Sequence, residues 1–205
     1  MPLTAQPLGV PGAFVILPDA RDVHNGRFTY FHDERDLALL GADGHCVQEH
    51  ASFYPLRHTV RGLHFQTAPG FQTKYVRVAR GSIHDVVVDL RAGSPTFGRH
   101  AAIRLGCGDW RQLHVPPGFA HGFCTLEADT EVVFRLTAFN DAALLRGVRW
   151  NDPALGIDWP CGDTPAWLFP VDGEWPLLAD LATPFEWAPR HALSESPDAS
   201  HTKRK

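Results

Sequence analysis

The stretch TVRGLHFQTAPGFQTKYVRVARGSIHDVVVDL, residues 59–90, decides the fold. Three runs rich in β-branched and aromatic residues, TVRGLHFQ, TKYVRVA and IHDVVVDL, are divided by TAPG and RGS, whose glycine and proline break regular structure. No segment between them is long enough for a helix. The pattern continues through RHAAIRL, RQLHVP, GFAHGFCTL and EVVFRLTAF. Strands at this spacing predict an all-β chain, an antiparallel sandwich or barrel of the jelly-roll kind with a few short helices.

Helical periodicity is confined to DERDLALLG, Asp33 to Gly41, which has acids at its start and glycine after it. Trp175 to Leu181 is expected to form a short closing helix. Residues 191–205 carry one leucine and no aromatic side chain, which predicts a disordered tail behind a single domain spanning residues 1–190.

With 205 residues, 44% of them hydrophobic and 20% charged, the chain has the composition of a folded soluble domain. Its formal charge of −4 and pI near 6.3 argue against nucleic acid or an anionic membrane as the main partner. Cys46, Cys107, Cys124 and Cys161 are too scattered for a disulfide framework or a CxxC pair. Basic residues begin only at Arg21, and no apolar run has membrane-spanning length. The expected location is the cytoplasm.

Within RGLHFQ, strict alternation puts Arg61, Leu63 and Phe65 on one side of a strand and Gly62, His64 and Gln66 on the other. A jelly roll can aim His64 and Lys74 into one concave interior, with His84, His114 and His121 on other strands of the same run. Gln66, Arg61 and Arg111 add amide or cationic groups.

The segments RGLHFQTAPGFQTKYVRVARGSIHDVVVDLRAGSPTFG, RQLHVPPGFAHGF and GVRWNDPALGIDWP resemble the dTDP-4-dehydrorhamnose 3,5-epimerase family, over about residues 46–180. The resemblance implies a cupin barrel without metal or cofactor, a homodimer, and a nucleotide-linked substrate, a dTDP 4-keto-6-deoxy sugar. It implies proton abstraction beside the ketone at C3, C5 or both. His64 matches the family base, Lys74 the ammonium facing the carbonyl oxygen, and Asp172, in VDGEWPLLAD, the acid that orients the base. Arg61 matches a diphosphate-binding arginine, and His121 in GFAHGF a pocket residue.

Other motifs depart from the family. EVVFRLTAFN places Phe134 where the family has its proton-donating tyrosine and Asn140 where it has a second one. None of the three tyrosines, Tyr30, Tyr54 and Tyr75, matches the first position. VHNGRF has Asn25 in place of a phosphate-binding arginine, for which Arg27, two residues on, is the expected substitute. QEHAS keeps Gln48 but carries His50 and Ala51 in place of asparagine and histidine.

Without the tyrosine, a base alone gives exchange or isomerisation without inversion, unless water or Cys124 donates the proton. Two alternatives stand beside the epimerase reading. One is a sugar-nucleotide-binding cupin without turnover. The other is a metal-dependent cupin using His64, His84, His114 and His121, which lacks the usual HxH pair.

Overall fold

A computed structural model describes residues 3–188. The tail expected at 191–205 lies outside the described residues. In chain order the strands are β1 Thr4–Pro7, β2 Phe14–Leu17, β3 Arg21–Val23, β4 Gly26–Phe28, β5 Gln48–Tyr54, β6 Thr59–Gln66 and β7 Lys74–Arg80. They continue with β8 Ser82–Asp89, β9 His100–Gly106, β10 Gln112–Val115, β11 Phe119–Thr125, β12 Thr130–Leu136, β13 Leu145–Gly147 and β14 Trp167–Leu168.

Two sheets face each other. One has the order β1-β2-β10-β7-β12-β5, the other β13-β6-β11-β8-β9. Their pairings are antiparallel, apart from β14, which lies parallel to β6. The jelly-roll expectation holds, including the seven strands read from residues 59 onward.

Between the sheets, Val76, Leu113, Val132 and Leu136 of the first meet Ile83, Val87, Leu105 and Phe123 of the second. The second sheet is covered on its outer face too. Val60, Leu63, Phe65, Val86, Val88 and Cys124 pack there under Trp150, Leu155, Trp159 and Phe185. A sheet buried on both sides has no polar face to alternate with, which is why residues 86–88 read as an unbroken VVV run.

The helix α1 spans Glu34–Leu39. Asp33 caps it, its carboxylate accepting from the Arg35 amide at 3.0 Å. Its buried Leu37 packs with Ile16 and Tyr75 on the outer face of the first sheet. No helix among the described residues is long and apolar enough to cross a membrane.

The closing helix expected at Trp175–Leu181 is absent. Within that segment only Leu178–Asp180 forms a 3-10 turn, and a second such turn, Pro170–Gly173, precedes it.

Strand β6 departs from strict alternation. Val60, Leu63 and Phe65 all face the outer core, so the phase shifts by one residue between 60 and 63. The pairing with β11 records the same irregularity: His64 stands opposite His121, but Arg61 stands opposite Phe123. Gly62 makes the shift possible. Its φ is +105°, and a Cβ there would lie 2.6 Å from the His121 carbonyl oxygen. The consequence corrects the simple reading of RGLHFQ, because Arg61 and His64 face the same side.

Candidate active site

That side is a cleft of about 200 Å³ between the sheets. His64 and Arg61 of β6 and His121 of β11 line one wall; His50, Ser52 and Tyr54 of β5, Phe134 of β12 and Lys74 of β7 line the other. The cleft mixes these polar side chains with apolar ones, among them Phe123, Leu136 and Phe169.

His64 Nε2 makes a very short hydrogen bond to Asp172 Oδ1. Asp172 is fully buried in the Pro170–Gly173 turn. Its other oxygen accepts from the Gly62 amide at 2.9 Å, and Trp175 Nε1 approaches Oδ1 at 3.4 Å. One glycine therefore sets the phase that turns His64 inward and supplies the amide that fixes its carboxylate partner. Burial pushes the His64 imidazole below its usual pKa, with the nearby Lys74 and Arg61 cations adding to this and Asp172 opposing it. The ring is neutral at neutral pH, the form that can accept a proton.

Lys74 begins β7, and its Nζ lies 3.4 Å from the His64 carbonyl oxygen. Burial pushes its ammonium down to about 8, against the pull of the Asp85 carboxylate. Asp85 is held by His121, whose Nε2 lies 2.6 Å from Oδ1. Arg61 lays its guanidinium over the Phe169 ring at 4.5 Å, with Nε 3.9 Å from Asp172 Oδ2. Phe134 stacks on His50, centroids 5.0 Å apart and planes 19° from parallel.

The sequence-predicted residues divide into two sets. His64, Lys74, Asp172, Arg61, His121 and Phe134 are brought together. Gln66 is not in the cleft: its side chain donates to the Gly70 and Phe139 carbonyls at 2.7 and 3.2 Å and accepts from the Asp141 amide at 2.6 Å, tying two loops together. Gln48 accepts from the Asn140 amide at 2.8 Å, so it holds the rim residue Asn140 rather than lining the cleft itself.

Arg111 is bound to Asp109 at 2.6 Å and to the Arg104 carbonyl at 2.8 Å, beside a separate groove. Arg27 lies on the exposed hairpin of β3 and β4, 3.5 Å from Asp22 and stacked over Trp110. Neither arginine lines the cleft of its own chain. Cys124 also leaves the list of donors, since it packs in the outer core with its thiol pushed up to about 12 by burial.

The four histidines of the metal reading are not assembled. His84 faces Trp159 on the outer side of the second sheet, and His114 stacks on Phe14 at 4.2 Å and packs against Tyr75. Among the described residues, no group of three or more His, Cys, Asp or Glu side chains is placed to hold a metal ion.

Sequence reasoning marked His50 as a changed motif residue without giving it a role, and missed Ser52 and Tyr54. The signal was available in QEHASFY, where every second residue from Gln48 to Tyr54 is partly buried and the others are exposed. It is easily overlooked because both faces of that strand carry polar residues.

A jelly-roll barrel whose interior holds a histidine oriented by a buried carboxylate, with an ammonium beside it, defines a cupin built for acid-base chemistry. The chain belongs to the dTDP-4-dehydrorhamnose 3,5-epimerase family, a family of isomerases, whose model matches residues 7–180. It is 40% identical over 182 residues to the dTDP-4-dehydrorhamnose 3,5-epimerase of Sinorhizobium fredii, covering 89% of this chain and 93% of that protein. It is 38% identical over 176 residues to the dTDP-4-dehydrorhamnose 3-epimerase of Streptomyces niveus, covering 85% and 84%. The crystal structure of a Bacillus anthracis 3,5-epimerase with TDP and pyrophosphate bound superposes with a TM-score of 0.81 at 38% identity, covering 85% of this chain and 99% of that one.

Proposed function

We propose that the protein epimerises a dTDP-linked 4-keto-6-deoxy sugar next to its ketone, at C3, C5 or both. The observation that carries this is the constellation of His64, Asp172 and the Gly62 amide, with Lys74 in the same cleft. Asp172 fixes Nε2 as the protonated nitrogen of His64 and leaves Nδ1 as the base. It then stabilises the imidazolium formed when His64 takes the proton. A carbon acid beside a ketone ionises only if the enolate oxygen is stabilised, and Lys74 is the cation for that oxygen. The Arg61 guanidinium, buried at Nε and open at its far end, suits the diphosphate.

The test is the product. Incubated with dTDP-4-keto-6-deoxyglucose and reduced chemically to trap the ketone, the protein is expected to yield sugars inverted at C3, C5 or both. Recovery of only the starting configuration, from a protein that binds the nucleotide sugar, would favour the binding-only alternative.

We further infer that the functional form is a homodimer. Support comes from the hairpin of β3 and β4, which carries Arg27 away from its own cleft and leaves Val23 and Phe28 51% and 46% exposed. Strand β5 also ends its sheet with Phe53 exposed. A second copy would cover these apolar side chains and give Arg27 a cleft to serve. Light scattering should return twice the chain mass of 22.7 kDa. A monomeric mass across the micromolar range would end this part of the proposal.

A further inference from the structure

Inversion requires an acid facing the base across the sugar, and the wall opposite His64 offers few. Phe134 has no ionisable hydrogen. Ser52, Gln72 and Asn140 carry hydroxyl or amide groups far less acidic than a phenol, and the Arg61 guanidinium does not release its proton. Lys74 is committed to the ketone oxygen. His121 shares its sheet with His64 and is tied to Asp85. Among the described residues lining the cleft, His50 and Tyr54 remain.

The His50 imidazole lies flat against Phe134, and burial together with the Lys74 cation pushes it below its usual pKa. It is a neutral ring with no proton to give as a strong acid. Tyr54 carries a phenol hydroxyl, a stronger acid than the N–H of a neutral imidazole. Its side chain enters the cleft from β5, set edge-on against Phe123 at 5.4 Å. Burial raises its pKa, so the hydroxyl keeps its proton until it is needed, and the Arg61 cation opposes that rise. Arg61 lines the same cleft, where its cation would stabilise a transient phenolate.

Resting on the epimerase reading above, we propose that Tyr54 is the catalytic acid that delivers a proton to the enolate on the face opposite His64. His64 takes the proton from carbon, and the electrons of that C–H bond move to give the enolate with its oxygen at Lys74. The enolate carbon then takes the Tyr54 proton, the ketone re-forms, and the electron pair of the O–H bond stays on the phenolate. Water returns a proton to Tyr54 and accepts the one held by His64, so the cycle closes without a co-reactant.

The experiment compares the wild-type protein, Tyr54→Phe and His50→Asn in heavy water with dTDP-4-keto-6-deoxyglucose. Deuterium entry next to the ketone is read beside the appearance of inverted sugar. Tyr54→Phe is expected to keep exchange within about threefold while inversion falls about a hundredfold or more. His50→Asn is expected to keep both processes coupled. Unchanged inversion in Tyr54→Phe, or an equal fall of exchange and inversion, would overturn the assignment. So would a selective loss of inversion in His50→Asn alone. Wild-type protein that neither exchanges nor inverts would remove the epimerase reading itself, and this inference with it; the other failures leave that reading standing.

Discussion

His64→Ala should lower solvent-proton exchange into a dTDP-linked 4-keto sugar by about a thousandfold, within the range general acid-base groups contribute. Binding of the nucleotide sugar should stay within about tenfold, because the lost group acts mainly in the transition state. The fold tolerates this change. The His64 side chain is 15% exposed at the cleft surface, and Asp172 keeps the Gly62 amide and the neighbouring Arg61 cation after the imidazole is gone. Exchange within tenfold of wild type would remove His64 from the reaction.

Lys74→Met keeps most of the stem and deletes the charge. Turnover should fall about a hundredfold or more, the usual cost of losing one donor to a developing oxyanion. The pH profile makes the test more specific. A lysine whose pKa is lowered to about 8 is charged below that value and loses its charge as pH rises through it. Wild-type turnover should therefore decline above about pH 8, and the residual turnover of Lys74→Met should lack that decline. On the acid side, activity falls as His64 becomes protonated, below its ordinary range because burial lowers its pKa. Near-normal turnover in Lys74→Met with the alkaline limb intact would contradict the assignment.

Much of the site was legible in the sequence because its residues sit in short motifs on regular strands. His64 and His121 sit on β6 and β11, and Asp172 was reached through the resemblance of VDGEWPLLAD to the family's motif. Arg61 was legible as a ligand but not in its orientation, since a period of two fails where Gly62 shifts the phase of β6. Arg27 and Arg111 illustrate a different limit: a cation's charge is visible in sequence, but its nearest carboxylate, Asp22 or Asp109, is a matter of turn geometry.

Gln48 and Gln66 were expected to bind substrate, but an amide that reaches a backbone partner becomes part of the frame. Tyr54 was hidden for the opposite reason. It matches no expected position, and only the pairing of β5 with β12, which sets His50 opposite Phe134, brings its face of the strand into the cleft. The loss of a hydroxyl at one position of a wall and the presence of one elsewhere on it is a relation that linear comparison does not display.

The central claim is that this protein takes a proton from carbon beside a ketone. It is tested most directly by running the wild-type reaction in heavy water and locating deuterium in the sugar by NMR. The account predicts deuterium at C3, C5 or both, at each centre that inverts. Inverted sugar without solvent deuterium, or a saturated complex that takes up none, would contradict it.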